Sequence, residues 1–183
     1  MEARTGPARS SDVTSARRRA GGAIAKQHTY EVQVDWTGND GEGTKTYKGY
    51  RRDHTIVCAG KPQIHGSSDP AFRGDPSRYN PEELLVASLS SCHMLWYLHL
   101  CTVNGVTVLD YRDSASGVME EGNDGSGEFV RVTLKPRVKV SPGDDRALAL
   151  VLHKEAHRVC FVARSVNFPV DIAPDIMDAA ACG

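Results

Sequence analysis

The sequence predicts an α+β fold with antiparallel sheets and two long helices. Three observations support it: strand-like alternation early in the chain, a capped apolar helix beginning after Asn80, and a second hairpin followed by another helix. A short terminal strand completes the predicted order. The 183 residues are 40% hydrophobic and 25% charged, which is typical of one globular domain, and we expect it to span residues 28–183.

Two strands are predicted before the first helix. Residues 28–36 alternate apolar and polar side chains, which is the period of a half-buried strand. The turn TGNDGEG separates them from a second strand, whose firmest part is residues 50–57. Residues 60–79 are dense in Gly, Pro, Ser and Asp, which indicates a long loop of the kind that often carries function.

The first helix has strong boundary signals. Asn80 is a good N-cap, Pro81 suits the first helical position, and Glu83 lies three residues after the cap. Asn104 followed by Gly105 predicts the end of the helix. Its body is apolar on nearly every side, so we expect it to be buried all round, with a second subunit lying against it.

The second half of the chain predicts a hairpin, a helix and a strand. Residues 106–121 and 127–142 flank the turn GNDGSG as two strands. A second helix is predicted over residues 144–166, where apolar side chains recur at helical spacing. The segment NFPVDIAPDI is predicted to be a short terminal strand.

Composition narrows the classes of function. The net charge of −1 gives no electrostatic case for nucleic acid, and no apolar run is long enough to predict a membrane span. Residues 1–27 contain six Lys or Arg and two acids, so we expect a disordered basic tail or a start codon placed too early, with an organelle transit peptide as a further alternative. Five cysteines without a CxxC motif predict neither a disulfide scaffold nor a zinc ribbon and favour a cytoplasmic location.

Cys92 stands in the middle of the apolar helix and is the first candidate for chemistry. A thiol reacts as its thiolate, and apolar surroundings disfavour that form, so Cys92 needs a nearby cation. Its own helix supplies none, because its neighbours one turn away are Ser88, Leu89, Leu95 and Trp96. Arg51 and Arg52, in the second predicted strand, are the strongest candidates.

An inward-pointing Arg needs a carboxylate, and Glu82 is the natural holder. Glu82 and Cys92 are ten residues apart, roughly 15 Å along one helix, so a single Arg could hardly bridge both. We therefore hypothesise that the Arg–Glu pair serves the Cys92 of the other subunit across a two-fold interface.

Cys160 provides a second thiol late on the second predicted helix. One thiol can attack a peroxide to form a sulfenic acid, and the other can condense with it to a disulfide. Spacing alone leaves open that both are structural core thiols. His153 and His157 are four residues apart, but Lys154 occupies the position where a zinc protease has Glu, so we expect no metal site.

The segments YNPEELLVASLSSCHM and HKEAHRVCFVARSVNFPV resemble the OsmC/Ohr family of osmotically inducible and organic hydroperoxide resistance proteins. The likeness runs from about His28 to Pro174, and its most specific feature is Asn-Pro-Glu with a Cys ten residues after the Glu. The resemblance implies an OsmC-like intertwined homodimer with two sites at the subunit interface. It further implies reduction of organic hydroperoxides, and more weakly of hydrogen peroxide, without a metal or bound cofactor.

The resemblance also implies residue roles. Cys92 would be the peroxidatic thiol, Cys160 the resolving thiol, and Glu82 the carboxylate that orients an Arg. Arg52 is the best match for that Arg, with Arg51 in reserve and the loop residues Arg73 and Arg78 as alternatives. An external dithiol, often a dihydrolipoyl protein in the family, would reopen the disulfide. The alternative is a redox-sensing or binding module without fast turnover.

Overall fold

The computed structural model describes residues 26–179, so most of the predicted tail at residues 1–27, together with Cys182, lies outside the described residues. The chain divides into two units, residues 1–31 and 32–183. Within the described residues, the second unit contains two α-helices and nine strands, which confirms the α+β class. The strands are β1 (Gln33–Trp36), β2 (His54–Val57), β3 (Ile64–Gly66), β4 (Val108–Asp113), β5 (Ser116–Glu121), β6 (Gly127–Leu134), β7 (Pro136–Val140), β8 (Val170–Ile172) and β9 (Asp175–Asp178).

The first sheet has the antiparallel order β1-β2-β3. The predicted hairpin is present, with Trp36 opposite His54, but both strands are shorter than predicted. Residues 60–79 are not only loop, because they contain β3 and a 3-10 turn at Pro70–Phe72. All four residues of β1 are exposed, so the half-buried face predicted from its alternation is not formed within the described residues.

The second predicted hairpin is a ribbon that bends into two sheets. β5 pairs with β6 near the turn, and β4 pairs with β7 beyond the bend. The Asp113 carboxylate holds the bend, since it accepts the Lys135 N–H at 2.7 Å and the Ser90 hydroxyl at 2.6 Å. Pro136 has no N–H to give to a ladder, which suits the first residue of the new strand.

The predicted terminal strand is two strands, and they make both sheets mixed rather than antiparallel. β8 joins β6 in parallel and β9 joins β7 in parallel, giving the orders β5-β6-β8 and β4-β7-β9. Parallel neighbours need a long crossover connection. The second helix, α2 (Arg146–Val159), lies in that connection.

The first helix, α1 (Pro81–Val103), begins as predicted. The Asn80 side chain accepts the Glu83 N–H at 2.7 Å, and the Glu83 carboxylate accepts the Asn80 N–H at 3.1 Å. Only one face is buried in this chain, and burial of the rest against a second subunit stays a prediction. Leu95 is 64% exposed and Val103 is 61% exposed. The buried stripe repeats every four residues as Leu89, His93, Tyr97 and Cys101.

By length and composition alone, α1 could cross a membrane, since its best window has a mean hydropathy of 1.4. One such helix is a weak indication, because the core helix of a soluble domain passes the same test. The buried stripe of α1 packs against α2 and the sheets. The absence of a membrane partner therefore stays a prediction.

Two apolar clusters flank the middle of α1. Tyr97 and Cys101 pack with α2 and the β4-β7-β9 sheet, whereas Leu89 packs with Val132 and Leu134 of the β5-β6-β8 sheet. Cys92 lies between these two halves of the helix. α2 is shorter than the predicted residues 144–166, because it ends at Val159 and Cys160 is its extended C-cap residue.

Candidate active site

The structure brings the two candidate thiols together. Cys92 lies midway along α1 and is partly exposed, while Cys160 lies at the end of α2 with 0% exposure. Both are free thiols. The bend after α2 turns the chain back toward α1, so Phe161 and Val162 line the same cavity as Cys92. Their catalytic roles stay predictions, but the proximity that those roles require is present.

The surroundings of Cys160 favour its protonated form. Burial, together with interaction with the neighbouring Cys92 sulfur, raises the pKa of the Cys160 thiol to about 11, although the backbone N–H groups of Ala163 and Val162 act in the opposite direction. Cys160 is therefore a neutral thiol at pH 7. The two thiols therefore have different environments. Cys92 is accessible to a reactant, whereas Cys160 is buried and protonated.

An apolar cavity of about 550 Å³ opens beside Cys92. Its aromatic wall is formed by Trp96 and Phe161, whose rings meet edge to face with centroids 5.4 Å apart. The His99 ring also lies edge to face with Trp96, with centroids 5.9 Å apart. Cavities with apolar walls and a few polar groups suit small organic ligands. The remaining lining residues are Ser88, Ser91, Leu95 and Val162.

Arg52 lies in the connection between β1 and β2, not inside a strand as predicted. Its guanidinium donates to the carbonyl oxygens of Tyr50 at 2.6 Å and Tyr47 at 2.8 Å. It also lies over both tyrosine rings, 4.0 Å from the centroid of Tyr50 and 4.4 Å from that of Tyr47. The side chain is therefore held by its own segment.

Glu82, in the first turn of α1, shares a second cavity with Arg52. This cavity measures about 350 Å³ and is also lined by Trp36, Tyr50 and His54. The Oε2 atom of Glu82 is buried and has no hydrogen-bond partner. The predicted Arg52–Glu82 ion pair is thus not formed in this structure, although the two residues line one space. Cys92 is not part of that lining.

Two of the alternative arginines pair with other carboxylates, and the third is exposed. Arg51 forms ion pairs with Asp40 at 2.9 Å and Asp53 at 2.7 Å, and Arg78 lies 3.6 Å from Asp53. Arg73 is exposed at the end of a 3-10 turn, with a φ of 67°. Arg52 therefore remains the arginine best placed toward Glu82.

Sequence reasoning missed the buried carboxylate of Asp53. Asp53 is 5% exposed and also accepts the Ser67 hydroxyl at 3.3 Å. The only local signal was its position directly after two arginines, and that does not show burial. The contacts join segments far apart in the sequence.

A buried histidine pair was also not predicted. His93 Nε2 lies 3.0 Å from His153 Nδ1, and both side chains are 1% exposed. The His153 ring stacks on Tyr97 with centroids 3.7 Å apart. Burial lowers the pKa of His93 to about 4 and that of His153 to about 3. Within residues 26–179, no group of three or more His, Cys, Asp or Glu could hold a metal ion.

The family comparison agrees with this fold. The OsmC-like protein family model matches residues 74–175, which include both helices, Cys92 and Cys160. The chain therefore belongs to the OsmC-like protein family. A comparison with curated proteins finds no match.

Solved structures support the same assignment. An OsmC-like protein of unknown function from Vibrio cholerae is 30% identical, with a TM-score of 0.70, and covers 82% of this chain and 100% of its own. An organic hydroperoxide resistance protein from Legionella pneumophila is 16% identical (TM-score 0.61), covering 83% of this chain and 98% of its own. One from Bacillus subtilis is 19% identical (TM-score 0.56), with 82% and 98% covered. The last two likenesses show the fold alone.

Proposed function

We propose that this protein is a thiol-dependent peroxidase that reduces organic hydroperoxides, and hydrogen peroxide more weakly. One observation carries the proposal. The partly exposed Cys92 opens onto an apolar cavity, and the fully buried Cys160 lies beside it as a second thiol. An oxidant can reach the first sulfur, and the product formed there is within reach of the second.

The reaction follows from the two different thiols. The Cys92 thiolate attacks the distal oxygen of the hydroperoxide, which breaks the O–O bond and gives a Cys92 sulfenic acid and an alkoxide that takes up a proton as the alcohol. The Cys160 sulfur then attacks the sulfenic sulfur, its proton leaves with the hydroxyl as water, and a Cys92–Cys160 disulfide forms. Two thiols of an external dithiol reduce that disulfide and are themselves oxidised.

Arg52 would stabilise the thiolate and the developing alkoxide, with Glu82 holding the guanidinium. In one chain these residues line a cavity that does not include Cys92. The separation supports our proposal that they act on the Cys92 of a second subunit. Closing Arg52 onto Glu82 would also give the unpartnered Oε2 of Glu82 a charged donor.

Exposed apolar side chains support a homodimer. Leu95 and Val103 on α1 are more than half exposed, as is Val34 on β1. A groove of about 710 Å³ runs along α1 between Glu82 and Met94 and is bordered by Met119 and Phe129. Apolar surface of this kind is stabilised by burial against a partner, and a second copy would also complete the site.

The proposed reductant is an external dithiol, and the proposed location is the cytoplasm. A disulfide buried at the base of a cavity suits a small or extended dithiol, such as the lipoyl arm of a dihydrolipoyl protein. No bound cofactor is needed for the steps above. A reducing cytoplasm would return the thiols between turnovers.

The experiment treats the reduced protein with one equivalent of cumene hydroperoxide and maps the products by mass spectrometry. We expect a 92–160 disulfide in the wild type. The Cys160→Ser variant should stop at a sulfenic acid on Cys92, and the Cys92→Ser variant should consume no peroxide. Cys101→Ser is the matched control, because this buried thiol lies in the core beside Tyr97 and should leave the products unchanged.

The rate separates the enzyme from the alternative, a redox-sensing or binding module. A peroxidase should react with cumene hydroperoxide orders of magnitude faster than a free thiol does. A second-order rate equal to that of free cysteine, with the disulfide still formed, would support the module instead.

A further inference from the structure

The buried carboxylate of Asp53 is unexplained by the proposed chemistry, yet it lies next to Arg52 in the sequence. It is 5% exposed in a connection whose neighbours are mostly exposed. A carboxylate is not buried without compensation. Asp53 has three partners: it accepts the Arg51 Nη1–H at 2.7 Å and the Ser67 hydroxyl at 3.3 Å, and Arg78 Nη2 lies 3.6 Å away.

These partners come from both sides of the Arg52–Glu82 cavity. Arg51 directly precedes Arg52, and the Arg51 carbonyl accepts the Trp36 indole N–H at 2.8 Å. Ser67 and Arg78 belong to the connection that leads into α1. Asp53 therefore ties the segment that carries Arg52 to the segment that ends two residues before Glu82.

The second side of this link continues to the start of α1 through backbone contacts. The Ser67 N–H donates to the Tyr79 carbonyl at 2.9 Å, and the Ser67 hydroxyl accepts the Asp75 N–H at 3.1 Å. Tyr79 precedes the helix cap Asn80. Contacts of 2.7–3.6 Å therefore link Asp53 to both segments that border the cavity.

We propose that Asp53 is a positioning residue that sets where Arg52 stands relative to Glu82, a role that rests on the proposed peroxidase function. Arg52 is held by the carbonyls of Tyr47 and Tyr50, so it moves with the backbone of its segment. Linking that backbone to the start of α1 sets the distance between the Arg52 guanidinium and the Glu82 carboxylate. Asp53 itself touches no reactant.

The test measures the second-order rate with cumene hydroperoxide and the pH profile of Cys92 alkylation by iodoacetamide in Asp53→Asn. We expect the peroxide rate to fall roughly 10- to 100-fold, the size of loss that misplacement by about 1 Å produces. The alkylation profile should move to higher pH, because the thiolate loses its cation. A merely structural role would lower stability without moving that profile.

A double-mutant cycle makes the result specific. Asp53→Asn should lower the rate in the wild type but not further in Arg52→Met, since the carboxylate acts through that side chain. Asp40→Asn is the matched control: Asp40 also pairs with Arg51 but is exposed and has no contact with Ser67 or Arg78, so the rate should be unchanged. Ser67→Ala removes only the hydroxyl that donates to Asp53 and should cause a smaller loss of rate in the same direction. This variant tests the role of Asp53 if Asp53→Asn does not fold.

The outcomes distinguish this inference from the proposed function. An additive loss in the cycle, or an unchanged rate in Asp53→Asn and Ser67→Ala while Arg52→Met is impaired, overturns the role of Asp53 alone. No loss in Arg52→Met overturns the proposed role of the arginine as well.

Discussion

At the scale of residues, the buried imidazole pair couples stability to pH. His93 and His153 have folded-state pKa values of about 4 and 3, below the ordinary value of 6.5, because burial disfavours the charged ring. His157 also lowers the pKa of His93, and Asp113 partly opposes that effect. Since both rings fold in the neutral form, the unfolded chain binds more protons below pH 6.5.

We therefore expect the free energy of unfolding to be constant above about pH 6.5 with respect to these rings and to fall as the pH drops from 6.5 toward 4. Each ring contributes up to about 1.4 kcal/mol per pH unit in that window. Urea denaturation between pH 4.5 and 8 measures it. His93→Leu should flatten the acid limb, whereas exposed His99→Gln should not. An equally steep limb in His93→Leu would rule out the pair as the cause.

The two thiols show what residue-level reasoning can and cannot reach. Cys92 and Cys160 could be selected from the sequence because a motif surrounds the first and a helix-like segment the second. Their proximity could not be derived, since it depends on the end of α2 at Val159 and the turn that follows. Asp53 could not be found either, because its burial results from side chains 2, 14 and 25 positions away in the chain.

At the scale of elements, the start of α1 was predictable because its signals are local. The reciprocal bonds between Asn80 and Glu83 need only four consecutive residues. The bend between β4 and β5 was not predictable, because Asp113 makes it by reaching Lys135 and Ser90, about twenty residues away on either side. The strand-like pattern of the sequence continued through both predicted strands of the hairpin and did not indicate the bend that divides each of them in two.

The capping box makes a direct stability prediction. Asn80→Ala removes the acceptor for the Glu83 N–H and should cost about 1 kcal/mol, lowering the melting temperature by about 2–4 °C. Thermal unfolding followed by circular dichroism at 222 nm measures the change. Thr102→Ala is the control, since its exposed hydroxyl only returns to the Leu98 carbonyl in the same helix. An unchanged melting temperature in Asn80→Ala would show that solvent replaces the cap.

At the scale of the whole molecule, the separation of Arg52 and Glu82 from Cys92 predicts active-site sharing between subunits. Alone, Cys92→Ser is expected to be inactive and Arg52→Met to keep only a small residual rate. A mixed dimer would hold one intact site, made from Cys92 of one chain and Arg52 of the other. Refolding the two variants together in equal amounts should restore about one quarter of wild-type activity.

Steady-state turnover with cumene hydroperoxide and a dithiol measures this complementation, and analytical ultracentrifugation confirms that dimers re-form. A mixture of Cys92→Ser with the double variant Cys92→Ser/Arg52→Met is the control and should stay inactive. If the complementing mixture is also inactive although mixed dimers are present, the arginine serves the thiol of its own chain.

The whole fold was predictable as a class but not in its sheet topology. Alternation and helix signals gave α+β with two helices. The pairing partners of the last two strands could not be predicted from the sequence. β8 and β9 are too short to show strand-like alternation, and their positions depend on the crossover through α2.

The late position of β8 and β9 bears on how the chain is made. Each adds the third strand to one sheet, so one sheet waits for residues up to Ile172 and the other for residues up to Asp178 to leave the ribosome. Until those residues emerge, the nascent chain would expose the bent ribbon with open edges. A chain that stops before Val170, for instance at a premature stop codon, would thus leave both sheets incomplete at once.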